Sequence, residues 1–204
     1  MSDQLLTPRA RRRVETTDEI LDAAWRLARR DGLASISMRD LGKEVGLKAQ
    51  SLYAYFDSKA ALYDAMFRQG HERQAEMMEA WPADLSVVDD PRATVKELCR
   101  QFVAFCVADP VRYQLLFQRV IPEWEPTPES YRLAVEHLDH LRGALASAGI
   151  DDPRHVDLWT AVMTGLTDQQ ISNDPGGDRW ARLVDDAVDM LFDHAVSHHT
   201  GESR

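Results

Sequence analysis

Thiols, long apolar runs and β-branched stretches are all scarce in this chain. Only two of its 204 residues are cysteine. Cys99 and Cys106 are seven apart, on one face of any helix there, and lack the C-x-x-C spacing of a metal or redox pair. They are expected to be free thiols packed in a core. No apolar run approaches the ~18–20 residues of a membrane span. The N-terminus is polar and then basic, without the apolar stretch of a secretory leader. The expected location is cytoplasmic, with no membrane partner. Runs of Val, Ile and Thr are nearly absent while Leu, Ala and Arg are plentiful, which points to an all-α fold. A nucleophile elbow, an HExxH motif and a phosphate-cradling glycine loop are also missing, so the reading is of a non-enzyme that needs no cofactor.

Positive charge is in deficit too, with a net charge of −10. That balance disfavours nucleic acid as a partner, because phosphate affinity comes from cationic side chains. The deficit is confined to one part of the chain. Residues 1–59 hold 11 Lys/Arg against 9 Asp/Glu, and the remaining 145 hold 13 against 25. Arg9, Arg11, Arg12 and Arg13 cluster ahead of the first expected helix, in a basic arm over residues 1–16.

Prolines mark the helix starts. Asp90-Pro91, Asp109-Pro110, Thr127-Pro128 and Asp152-Pro153 each join a good N-cap to a proline suited to the first helical position. Helices are therefore expected from about 91, 110, 128 and 153. A turn cluster, Asn173 to Gly177, precedes a last helix over about 178–196. There Trp180, Val184, Val188 and Leu191 belong to one apolar stripe. The preceding helix, with Val162 and Leu166, is apolar over more of its circumference, as if covered on two sides.

The N-terminal part is expected to hold a helix over 17–31 ended by Gly32, a short helix over 38–45, a turn at Gly46 that needs positive φ, and a third helix over 49–56. Two short helices joined by a tight turn and braced by a longer one make a helix-turn-helix. Leu41, Leu52 and Phe56 face inward. Lys48, Ala49, Gln50, Ser51, Tyr53 and Tyr55 compose an outer face suited to base edges and phosphates. Lys59 follows at the start of a fourth helix, over about 58–80, where phosphate would be attracted. On spacing alone the same polar residues would also serve as the wet side of a small bundle.

Met38-Arg39-Asp40-Leu41-Gly42-Lys43-Glu44-Val45-Gly46-Leu47, followed by Ser51-Leu52-Tyr53-Ala54-Tyr55-Phe56-Asp57-Ser58-Lys59, resembles the signature of the tetracycline-repressor (TetR) family. Gly42 stands where that family commonly has alanine, and Tyr55 where histidine is frequent. The resemblance implies a DNA-binding domain over 17–62 and a larger effector-binding and dimerisation domain over 63–204, about nine helices in all. Arg39 joins the expected DNA face. It further implies a homodimer on double-stranded DNA with a palindromic operator, repression relieved by a small molecule, and dimerisation through the last two helices. Val162, Leu166, Trp180, Val184, Val188 and Leu191 are the expected interface, although an internal core would leave the same stripe. Phe102, Phe105, Tyr113, Phe117, Trp124, Trp159 and Met163 are the expected lining of a pocket for a hydrophobic or aromatic effector. For each taken singly, core packing is the commoner role, and a regulator of the same fold without an effector is the alternative. His137 and His140 share a helix face without an evident third ligand, so no metal is expected.

Overall fold

The computed structural model describes residues 7–201, with side chains through 195. The first six residues of the expected basic arm lie outside the described residues. Among those described there are nine α-helices and no strand: α1 Pro8–Asp31, α2 Met38–Glu44, α3 Ala49–Leu52, α4 Lys59–Met78, α5 Pro91–Val107, α6 Pro110–Phe117, α7 Pro128–Ser147, α8 Pro153–Asn173 and α9 Val184–Gly201.

All four proline-marked starts hold, and the caps are made as expected. Asp90, Asp109, Thr127 and Asp152 accept from the backbone N–H of Ala93, Arg112, Ser130 and Arg154, at 2.9, 3.2, 3.3 and 2.9 Å. Three boundaries differ from expectation. Helix α1 begins at Pro8, nine residues before position 17, because Thr7 caps it through Ala10 N–H. The Thr-Pro signal is the same as at the other starts, but no apolar stripe follows it until Ile20. Helix α3 ends at Leu52 and continues as turns to Tyr55. Helix α9 starts at Val184 after a short 3-10 turn over Ala181–Leu183.

The chain groups into two compact units. One comprises residues up to Glu72 with Gln114–Leu133, the other Arg73–Tyr113 with the residues from Ala134 onward. In the second unit α5, α8 and α9 pack around Val95, Cys99, Val103, Trp159, Met163, Val184, Val188, Leu191 and Phe192. Val184, Val188 and Leu191 therefore face their own chain's core, which corrects their assignment to a dimer interface. Helical periodicity shows that a face is covered but not which chain covers it. Burial pushes both the Cys99 and Cys106 thiols up to about 12, so neither is a ready nucleophile.

Buried Gln170 pins the turn into α9, its Oε1 accepting from the N–H groups of Trp180 and Ala181 at 2.9 and 3.0 Å. On the outer side, Asp185, Asp189 and Asp193 of α9 meet Arg100, Lys96 and Arg92 of α5 at 2.6, 2.7 and 2.7 Å. The order of these pairs shows that the two helices run antiparallel. Exposed pairs of this kind contribute about 0–1 kcal/mol each, so the apolar core dominates.

The first unit is braced by two polar contacts. Trp25 of α1, almost fully buried, donates its indole N–H to Gln69 Oε1 of α4 at 2.7 Å. Asp64 of α4, only 7% exposed, accepts from Ser130 Oγ at 2.6 Å, Thr127 N–H at 2.7 Å and Thr127 Oγ1 at 3.2 Å. Burial by itself would raise this carboxyl. The hydrogen bonds from Ser130 and Thr127, with Arg68 nearby, outweigh it and hold the group below the usual carboxylate range. A depressed folded value stabilises the fold above the unfolded pKa, about 3.9, and that stabilisation is lost as pH falls through the folded value. Asp64→Asn is expected to cost about 1–3 kcal/mol at neutral pH. The gap in melting temperature between the variant and the wild type should close as pH drops below about 4. A gap that stayed constant from neutral pH to acid would overturn the role given to the charge.

Candidate nucleic-acid interface

Helix α2 is started by Ser37, whose Oγ accepts from Asp40 N–H at 3.1 Å and donates to Asp40 Oδ2 at 2.6 Å. Lys43 donates to the other oxygen of Asp40 at 2.7 Å, and these contacts lower the Asp40 carboxyl, that with Lys43 most. Leu41 and Leu52 are fully buried and Phe56 nearly so, with α2 packed against both α1 and α3. Gly46 takes φ +69°, as its place in the turn required. Gly42 has a tighter constraint. Leu47 N–H donates to the Gly42 carbonyl at 2.8 Å, and a Cβ at Gly42 would lie 2.7 Å from the Leu47 carbonyl oxygen and 3.3 Å from Ala49 N. The departure from alanine thus lets the turn close directly against α2.

That turn presents α3 with Lys48, Gln50, Ser51 and Tyr53 exposed, Tyr53 by 51%, and with Ala49 half-buried. Arg39 is exposed on α2. Donors, acceptors and an unencumbered aromatic hydroxyl therefore share one short element, while Leu52 and Phe56 anchor its back. Two expected contacts have partners inside the chain. Lys59 Nζ donates to the Ala34 carbonyl at 2.9 Å and lies 5.3 Å from the Tyr63 ring centroid, so it has two N–H groups left for a phosphate. Tyr55 is half-buried beneath Arg13, whose guanidinium carbon is 5.0 Å from the ring centroid. Arg13 Nη2 also donates to the Ala54 carbonyl at 2.7 Å. Sequence places Arg13 in a basic arm. It instead caps the end of the reading element, a contact across 41 residues with no local signature.

The residues expected to line a pocket fall into separate groups. Phe117 and Trp124 belong to the first unit, where Trp124 meets Tyr63 and Phe67 edge-on at 5.7 and 6.1 Å and Phe117 meets His71 at 6.0 Å. His71, buried within this cluster, carries no signal in the sequence that would single it out. The other five belong to the second unit. There Trp159 packs edge-on to Phe192 at 6.0 Å, Tyr113 donates to the Thr164 carbonyl at 3.4 Å, and Phe105 lies 3.8 Å beneath the Arg112 guanidinium. Trp159 and Met163 are core residues, with Phe102 packed against that core. A hollow of about 160 Å³ is lined by Arg154, His155, Leu158 and His194, none of which belongs to the expected set. Among the described residues no three His, Cys, Asp or Glu side chains are placed to hold a metal. No helix of the described residues is long and apolar enough to cross a membrane.

Residues 20–66 match the family described as bacterial regulatory proteins, tetR family. An HTH-type transcriptional regulator of Mycobacterium tuberculosis is 46% identical over 56 residues, a match spanning 28% of this chain and 28% of that relative. An HTH-type transcriptional repressor of the same species is 24% identical over 190 residues, covering 88% of this chain and 69% of the relative. Among solved structures, the fold is similar to the regulatory protein SCO4313, with a TM-score of 0.74, 23% identity, and 91% of this chain and 98% of that one covered. It is similar also to the regulator FadR of Bacillus subtilis in complex with stearoyl-CoA, with a TM-score of 0.69, 16% identity, and 85% and 96% covered. The matched segment begins at buried Ile20 and ends at buried Met66, so it takes in the helix-turn-helix and the start of the helix that follows. Residues 20–66 thus carry the helix-turn-helix domain described for the tetR family, within an all-helical fold similar to that of the regulators compared.

Proposed function

We propose that the protein is a homodimeric, sequence-specific DNA-binding transcriptional regulator, a repressor that a hydrophobic or aromatic small molecule releases from a palindromic operator. The observation that carries the reading is the outer face of α3. Gln50, Ser51, Lys48 and Tyr53 stand exposed on an element anchored from behind by Leu52 and Phe56. Side chains held on a rigid support meet base edges at a fixed angle, and this is how a recognition helix reads the major groove. The likeness to a repressor supports the direction of control. The structural likeness to a regulator holding stearoyl-CoA supports an apolar effector.

The dimer face is proposed on the outer sides of α8 and α9. Leu158 and Met190 are 41% and 57% exposed, and Val162 and Leu166 are half-buried. Apolar side chains at the edge of the core that stay partly in solvent are what a second copy would cover.

Selection from a pool of random duplexes tests the main reading. Inverted half-sites about one helical turn apart (roughly 10–10.5 base pairs) are expected, and failure to enrich any duplex would overturn it. On the enriched duplex, Gln50→Ala should relax preference at one position of each half-site and weaken binding by about 1–3 kcal/mol for each base it no longer reads. An unchanged base preference would remove Gln50 from the reading set.

A further inference from the structure

Helix α1 is longer than its packing requires. Its first buried residue is Ile20, yet it runs unbroken from Pro8, so about 18 Å of helix precedes the part held by the core. Exposed helix ends fray unless something holds them. Thr7 caps this one, and further along Arg13 ties it to the end of the reading element through the Ala54 carbonyl and the Tyr55 ring. The carbonyls of a helix's last turn lack partners within the helix, and the guanidinium supplies one here. The extension is therefore fixed beside α3, within the same unit.

Its charge is one-sided. Arg9, Arg11, Arg12 and Arg13 fall within the first two turns, with Glu15 the first acid after them. Arg9 precedes Arg13 by four residues and so shares its face, about 5–6 Å further out. Arg9 and Arg12 are exposed and have no ion pair among the described residues. Where acids lie opposite, as between α5 and α9, the cations pair with them.

We propose that the first turns of α1 are a second DNA-contacting surface, in which Arg9 and Arg12 engage the phosphates flanking the bases read by α3. This rests on the DNA-binding reading above and adds a partner surface to it. Such contacts strengthen binding to any duplex and carry no sequence information themselves.

The test is a salt titration of duplex binding for the Arg9→Ala/Arg12→Ala double variant. Two probes are used: a duplex enriched by the wild type and a random duplex of equal length. Alanine keeps the helix, and neither arginine is buried, so the fold is expected to survive. The slope of log affinity against log salt should fall by about 1.8 on both probes, since two phosphates are no longer neutralised. The preference for the enriched duplex should stay as in the wild type. The Arg119→Ala/Arg154→Ala variant, with the same charge removed elsewhere on the surface, should keep the full slope. A wild-type slope in the first variant, or an equal fall in the second, would overturn the proposal. Failure of the underlying reading is distinguishable, because the wild type would then enrich no duplex while the random probe still reports the slope.

Discussion

Leu191→Asp should unfold the larger helical unit rather than divide a dimer. Leu191 is 4% exposed and lies among Val188, Phe192 and Trp159 in the core. A carboxylate there would lose its hydration among apolar side chains, which costs several kcal/mol even after relaxation. Loss of the leucine side chain adds about 2–5 kcal/mol. Together these are comparable to the whole stability of a domain, about 5–15 kcal/mol. Circular dichroism should show reduced helix content at room temperature. Met190→Asp, one residue away on the exposed side, should stay folded and yield monomers by light scattering. The converse pattern, with a folded monomeric Leu191→Asp, would return that residue to the interface.

Gly42→Ala should weaken the protein although alanine is the better helix former. Propensity alone credits the change with about 1 kcal/mol. The added Cβ, however, would stand 2.7 Å from the Leu47 carbonyl oxygen. That oxygen belongs to backbone, so no rotamer relieves the contact, and the turn has to move. Crowding of this kind costs about 1–3 kcal/mol. The larger effect should fall on DNA, since a shifted turn re-aims α3. We expect preference for the enriched duplex over a random one to fall by on the order of tenfold, equivalent to ~1.4 kcal/mol. Affinity for the random duplex should change little. A variant with raised melting temperature and intact preference would show that the turn has room to adjust.

These two positions mark where the sequence is informative and where it is not. Proline after a capping residue predicts four helix starts, because both signals act locally and at fixed offsets. The same pair at Thr7-Pro8 is harder to read, since the helix it starts has no buried face for three turns. The stripe through Leu191 is legible as a stripe, but an amphipathic pattern is blind to chain identity. Gly42 is legible only as a departure from the family, its reason being a through-space approach to Leu47. Arg13 and Asp64 act across 41 and 63 residues respectively, and a single charged residue on a helix carries no mark of such a partner. The outer face of α3 is the most readable part of the candidate site, because exposure, polarity and spacing there all follow from one short helix.

The charged contacts between α5 and α9 also bear on how the two helices find their alignment. Their partners step by four residues on both sides: Asp185 with Arg100, Asp189 with Lys96, Asp193 with Arg92. A ladder with equal rungs is degenerate. Sliding α9 along α5 by one turn, about 5.4 Å, would break one rung and re-form the other two with equally good partners. Charge therefore draws these helices together without telling them where to stop. The unequal side chains beneath the ladder do that, Val95, Cys99 and Val103 of α5 sharing one core with Val184, Ala187, Val188, Leu191 and Phe192 of α9, because a one-turn shift would carry each out of the space its own shape fills.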